Sequence, residues 1–202
     1  VGSEMCIRDR SFVRPSVYVR LPDVTRELGE HARPIRDFLY SPGDTSVSIR
    51  LLGDLNDRAT LDILLRALEA METTPFRLSF VHTGTSDGLL SEWLLQAMHA
   101  GALSNMSHND LYHALESNNL AASLENLRQK YHIPTTKYSW SQISLAFSQA
   151  LELKHVGPII LLNGQSLDHI QGVSQFDIES VVAWEDEVHV QAPVSYTHLT
   201  LP

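Results

Sequence analysis

The stretch VSIRLLGDLNDRATLDILLRALEAMETTPFRLSFVH, from Val47 to His82, constrains the fold more than any other part of the chain. Val47, Ile49 and Leu51 alternate and Leu52 follows, the pattern of a mostly buried strand. Leu61, Leu64, Leu65 and Leu68 then recur at helical spacing. Asn56 or Asp57 can cap that helix, because a short polar side chain accepts hydrogen bonds from the first free backbone N–H groups. Thr73-Thr74-Pro75 ends it, and Phe76, Leu78 and Phe80 mark one face of a second strand. A strand–helix–strand unit with such short returns crosses over right-handed and leaves its strands parallel.

Four helical patterns follow. LLSEWLLQAM carries Leu90, Trp93, Leu94 and Ala97 on one face, and SHNDLYHALES is anchored by Leu111 and Leu115. NLAASLENLRQKY offers Leu120, Leu124 and Leu127, and SQISLAFSQALEL offers Ile143, Phe147, Ala150 and Leu151. Breaks fall at Gly101, around Asn118 and at Pro134-Thr135-Thr136. Asn163-Gly164 lies between two apolar runs, the preferred two-residue hairpin turn, since both positions need positive φ. Ile159 to Leu162 is therefore expected to pair with Ser166 to Ile170. A last helix over SQFDIESVVAWEDEV faces inward with Phe176, Val181 and Trp184, and Ser174 with Asp177 fits a capping box. Strand, helix, strand, four helices, hairpin, helix is the order of an α/β thioredoxin-like fold with a four-helix insertion. The domain is placed at 46–190 and the insertion at about 88–153, with a lead-in segment at 11–45 that holds one or two short helices and the turn SPGD.

The two ends read differently. VGSEMCIRDR, Val1 to Arg10, resembles the translated mosaic-end adapter of transposon-based sequencing libraries, and VSYTHLTLP, Val194 to Pro202, resembles its companion. Both are expected to be adapter-derived tails and are set aside from fold reasoning, with Ser11 to Pro193 an internal piece of a longer reading frame. The first tail takes with it Cys6, the single cysteine of the chain. Its charged residues Glu4, Arg8, Asp9 and Arg10 cancel, so the net charge stays at −9. That balance disfavours a nucleic-acid footprint, which needs basic clustering, and an anionic membrane surface. No apolar run approaches the roughly 18 residues of a membrane span.

A thioredoxin fold carries its Cys-x-x-Cys where the first strand meets the first helix, whose N-terminus lowers the thiol pKa. Here that position reads Asn56-Asp57-Arg58-Ala59, and none of these side chains can attack a disulfide. The domain is expected to be redox-inactive, with no catalytic, cofactor-binding or metal-binding residue of its own. Pro158 stands near the place of the fold's cis-proline but reads first as an ordinary loop proline, and sequence does not reveal the isomer. His99, His108, Asp110 and His113 suggest a metal cluster, yet His108 and His113 are five apart and miss the spacing that shares a helical face. They read as solvated helix residues. Asn105-Met106-Ser107 is an N-glycosylation sequon between two helices. Trp93 is a core aromatic by default. Tyr138 and Trp140 lie on a connector rich in Pro and Thr and read evenly as core residues or as candidates for contact with a partner protein.

Several stretches in order resemble the thioredoxin-like region of the UDP-glucose:glycoprotein glucosyltransferases. VRLPDVTRELGEHARPIRDFLYSPGD looks like the connector into the last such domain. VSIRLLGDLNDRATLDILLRALEAMETTPFRLSFVHTG is similar to that domain's first strand, helix and second strand, including the Gly53-Asp54 pair that closes the first strand. ALELKHVGPIILLNGQSLDHI, followed by FDIESVVAWEDE, is similar to its apolar strand, Asn-Gly hairpin and acidic helix. Gln165 stands where the family usually has Arg, and the Gly-Pro segment usual after the hairpin is absent. The resemblance implies a non-catalytic module of a folding sensor in the lumen of the endoplasmic reticulum. Its partners would be misfolded glycoprotein clients and neighbouring domains of the same chain. UDP-glucose and a divalent cation would be needed only by the parent's transferase domain. A free-standing, redox-inactive thioredoxin-like domain that binds peptides or proteins is the other reading.

Overall fold

The computed structural model describes residues 39–42, 45, 47–141, 143–145, 158–163, 165–167 and 175–185. The strand–helix–strand unit is β1 (Ser48–Gly53), α1 (Arg58–Ala70) and β2 (Arg77–His82). Its strands are parallel and in register from Ser48 opposite Arg77 to Gly53 opposite His82. Next come α2 (Leu89–His99), a 3₁₀ turn (Ala102–Asn105), α3 (His108–Glu116) and α4 (Leu120–Lys130). The hairpin is β3 (Ile159–Leu162) and β4 (Gln165–Leu167), and the last helix is α5 (Gln175–Glu185). The four strands are ordered β2-β1-β3-β4, with β3 antiparallel to both β1 and β4.

β1 and β2 are buried on both faces, as a parallel pair covered by helices must be. α1 turns a slightly different stripe inward than its leucines suggest. Thr60, Ile63, Leu64, Ala67 and Leu68 are buried, while Leu61 and Leu65 are only half-buried at the rim. The anchors Leu111, Leu115, Leu124 and Leu127 are buried as expected. In α5 the buried pair is Ile178 and Val182, four apart, with Val181 half-buried beside them. The side chains of Phe176 and Trp184, and Ser174 of the proposed capping box, lie outside what is described. So do both terminal tails and most of the lead-in. Its end at Leu39 and Tyr40 is not helical: Tyr40 bridges Leu78 antiparallel, and the Leu39 N–H donates to the Leu78 carbonyl at 2.7 Å. The free edge of β2 attracts the extended chain there, because its unpaired polar groups need partners. Of the fourth inserted helix, residues 143–145 are described as helical.

The hairpin turn shows why Asn163 is asparagine. Its φ is 47°, in the left-handed region that Asn tolerates. Its Oδ1 accepts from the Ser48 N–H at 2.8 Å and the Ser48 hydroxyl at 3.0 Å, and its Nδ2 donates to Glu185 on α5 at 2.9 Å. One side chain thus ties the turn to β1 and to the last helix. β4 is described over Gln165–Leu167, and Asp168 to Ile170 lie outside the described residues.

Two buried indoles join the insertion together. The Trp93 Nε1–H donates to the Leu124 carbonyl at 3.0 Å, and the Trp140 Nε1–H to the Ser91 carbonyl at 2.8 Å. A buried Trp that keeps its N–H paired contributes its full apolar area at no polar cost. At the α3–α4 junction, Asp110 accepts from Lys130 at 2.8 Å and from the Tyr131 hydroxyl. These two donors hold the Asp110 carboxyl below the usual carboxylate range. A depressed carboxylate stabilises the fold at pH above its ordinary value and ceases to do so as pH falls through the lowered one. Chemical denaturation should therefore show stability falling on acidification, and Asp110→Asn should flatten that part of the profile.

Arg50 places a guanidinium in the interior of the sheet. It sits in the middle of β1, 8% exposed, and its Nε donates to the Ser79 hydroxyl directly across on β2 at 2.8 Å. Its Nη1 is buried without a hydrogen-bond partner. Burial alone lowers its pKa to about 10. A buried charge is costly unless paired, so Arg50→Met should leave stability unchanged or raise it by about 1 kcal/mol. Ser79→Ala should lower it by about 2 kcal/mol, because it strips a charged donor of its acceptor. Urea denaturation of the two single variants and the double reads this, with Ser79→Ala costing less in the Arg50→Met background.

Candidate functional site

The thioredoxin redox position falls where β1 gives way to α1, and each of its four residues has a structural occupation. Asp57 is the N-cap of α1, with extended backbone (φ −90°, ψ 131°), and its carboxylate accepts from the Ala59 N–H at 3.3 Å. Asn56 is not the cap. Its N–H donates to Asp54 Oδ1 at 2.8 Å, and its Nδ2 donates to the Ser86 carbonyl at 3.0 Å, across to the loop after β2. Arg58 pairs with Asp62 one turn on at 2.8 Å, with both side chains largely in water. Ala59 is exposed and supplies only its N–H. The α1 N-terminus, which in a redox enzyme would stabilise a thiolate, is here satisfied by a carboxylate.

His82, the last residue of β2, holds the site from below and was not singled out by the sequence. It is fully buried. Its Nδ1 accepts from the Leu55 N–H at 3.1 Å, and its Nε2 lies 3.1 Å from the Ser86 carbonyl. These partners assign the proton to Nε2, which donates to Ser86, and leave Nδ1 as acceptor. Asp54 Oδ1 approaches Nδ1 to 3.8 Å. With the Nδ1 lone pair already used, this is a contact between neighbours and not an ion pair. The His82 carbonyl accepts from the buried Ser144 hydroxyl at 2.5 Å, and the ring meets Trp140 edge-on with centroids 6.1 Å apart. Asp87 closes the arrangement, accepting from the Ser139 hydroxyl at 2.8 Å and the Trp140 N–H at 3.4 Å.

The loops approach so closely that side chains are excluded. A Cβ at Gly84 would lie 2.5 Å from His82 Cε1 and 2.6 Å from the Asp54 carboxyl. One at Gly88 would lie 2.1 Å from Asn56 Oδ1. Asn56 is exposed and could swing away, but His82 is locked in the core.

Trp140 is corrected by this geometry. It is 0% exposed and plugs the interior behind His82, so it offers no surface to a partner. Its polar atoms are both paired inward, which a connector rich in Pro and Thr does not announce. Tyr138 is half-buried and stacks on His99 with centroids 4.0 Å apart. The histidines considered for a metal are apart in function: His108 meets Tyr40 edge-on, His113 meets Tyr112, and Asp110 is committed to Lys130 and Tyr131. Among the described residues no group of His, Cys, Asp or Glu is placed to hold a metal ion. Pro158 directly precedes β3, and its bond to Gly157 lies outside what is described. Asn105 is exposed at the end of the 3₁₀ turn.

Two large apolar residues do face water, Leu89 at 55% and Leu145 at 60%. Leu89 begins α2 directly after Gly88, which abuts Asn56. Leu145 directly follows Ser144, which holds the His82 carbonyl. A signal for both existed: each falls off the apolar stripe of its own helix, Leu89 beside Leu90, Trp93 and Leu94, and Leu145 beside Ile143.

Sheet order, crossover and a first-helix N-terminus without thiols define a thioredoxin-type domain that has no redox nucleophile at its redox position. A family model described as a thioredoxin-like domain matches residues 23–187, and the chain belongs to that family. It is similar to the solved Trx3 domain of UGGT in a detergent-unbound form, with 17% identity and a TM-score of 0.46 over 79% of this chain and 99% of that one. The detergent-bound form of that domain gives 18% identity and a TM-score of 0.46, over 74% and 99%. No curated protein matches the chain.

Replacing His82 with Phe keeps a ring in the core but leaves the buried Leu55 N–H unpaired. The variant should lose about 1–3 kcal/mol, read as a lower denaturation midpoint at unchanged m-value. An unchanged midpoint would show that the imidazole only fills space.

Proposed function

We propose that this chain is a non-catalytic module of the folding-sensor region of a UDP-glucose:glycoprotein glucosyltransferase. It would work in the lumen of the endoplasmic reticulum, against misfolded glycoprotein clients and neighbouring domains of its own chain. The ordered resemblance of the first strand–helix–strand unit, the hairpin and the acidic helix supports that parent. UDP-glucose and its divalent cation belong in this reading to the parent's transferase domain alone.

The observation that carries the non-catalytic part is the use of the redox position. Asn56, Asp57, Arg58 and Ala59 are spent on capping and on tying loops. No side chain there is left to act on a substrate. What the same end of the molecule offers instead is exposed apolar surface at Leu89 and Leu145. Isolated exposed leucines are ordinary. Two of them flanking the one position that the fold reserves for substrates make a contact for chains that expose their own apolar residues, with little demand on sequence.

Leu89→Asp with Leu145→Asp tests this, because both side chains are in water and their loss should leave the denaturation midpoint in place. The purified chain should bind a refolding-incompetent glycoprotein and not its native form, and the double variant should bind about tenfold more weakly, roughly 1.4 kcal/mol. Equal binding of native and misfolded glycoprotein, or turnover of UDP-glucose by the chain alone, would sink the reading.

A further inference from the structure

We propose that Asn105 is an N-glycan acceptor whose glycan stands at the end of the domain opposite the degenerate redox position. The proposal rests on the luminal placement above for its occurrence in the cell, while its chemistry rests on the local geometry. Asn105-Met106-Ser107 has the required hydroxyl two residues on and no proline between. The Asn105 side chain is exposed and makes no hydrogen bond among the described residues. Met106 between the two polar residues is 4% exposed and extended (φ −91°, ψ 132°). It is pinned in the core while Asn105 and Ser107 face water. A glycan on Asn105 therefore displaces no packed group and breaks no bond of the fold.

Its position follows from two independent links. α2 begins at Leu89 beside the redox position and runs away from it for 11 residues, about 16 Å at the helical rise, before the chain reaches Asn105. The sequon is also tied to the far end of the sheet. The Tyr40 hydroxyl donates to the Ser107 carbonyl at 3.5 Å, and Tyr40 bridges Leu78 near the start of β2. His82, at the redox position, ends the same strand. Glycosylation there leaves the Leu89 and Leu145 end unobstructed.

The reaction is a glycosyl transfer from a polyprenyl-pyrophosphate-linked oligosaccharide, carried out by the host's membrane transferase. Asn105 Nδ2 bonds to the anomeric carbon, the anomeric C–O bond to pyrophosphate breaks, the pyrophosphate lipid departs with the electron pair, and the amide gives up one proton to base. Ser107 is needed for recognition of the sequon. In the folded chain its Oγ also accepts from the Asn109 N–H at 3.3 Å as the N-cap of α3.

The whole chain, translated behind a cleavable secretion signal in the presence of microsomes, should acquire a single endoglycosidase-sensitive increment in mass. Asn105→Gln should abolish it, and Ser107→Thr, which keeps both hydroxyl and cap, should retain it. Because the signal enforces the compartment, the outcome does not depend on the parent assignment. Absence of the increment in the translocated wild-type chain, or its persistence in Asn105→Gln, would overturn the proposal. So would loss of misfolded-client binding on glycosylation, since that would place the glycan at the wrong end. Asn105→Gln removes no packed group, so the unmodified variant should keep the denaturation midpoint of the unmodified parent.

Discussion

The buried imidazole of His82 is the interaction on which the site end of the domain depends. Parallel strands deliver their connecting loops to the same edge, and those loops bring backbone groups that no strand can pair. His82 answers two of them at once, taking the Leu55 N–H with one nitrogen and giving the proton of the other to the Ser86 carbonyl. A ring with one donor and one acceptor nitrogen suits a gap between a loop's N–H and another loop's carbonyl; phenylalanine, leucine or lysine would each leave at least one orphan. Trp140 and Ser144 then pack behind it, and the helical insertion is anchored to the sheet through them.

This arrangement also explains how a thioredoxin-type domain persists without its cysteines. In a redox domain the end of β1 must stay open to a substrate disulfide. Here it is drawn shut by Asn56 reaching Ser86, by Gly84 pressed on His82, and by Asp87 gripping the Ser139–Trp140 connector. The polar residues that a sequence reader would scan for chemistry serve as ties. In the function proposed above, the work falls to what the ties leave outside, the exposed apolar side chains of Leu89 and Leu145.

Much of the fold was legible because it is written in short-range pattern. The alternation of Val47, Ile49 and Leu51, the leucines of α1 and the Asn163-Gly164 turn each report a local constraint, and together they determine the sheet order. What failed had a long-range cause. Tyr40 reads as helical and is extended, since only the tertiary structure shows that β2 has an edge to be paired. Trp140 reads evenly as a core or a contact residue on a connector, and its burial depends on Ser91 and Asp87, some fifty residues away. His82 looks like the polar end of a strand, and its value lies in loops that follow both strands. Asn56 to Ala59 fall between the end of β1 and the first turn of α1, and the separate duties of Asn56 and Asp57 need the distance to Ser86, which no spacing rule contains.

Arg50 carries a consequence of another kind. Side chains on a strand alternate between faces, so sliding β1 by one residue against β2 would move every one of them to the wrong side. Among aliphatic residues such a slip costs little, because Ile49, Leu51 and Leu52 are nearly interchangeable. A guanidinium that has one acceptor in the interior, Ser79 directly opposite, is not interchangeable with anything. The unfavourable burial of Arg50 thus works as an alignment mark: it lowers the stability of the correct pairing a little and that of every shifted pairing far more, and so narrows the set of sheets into which this chain can condense.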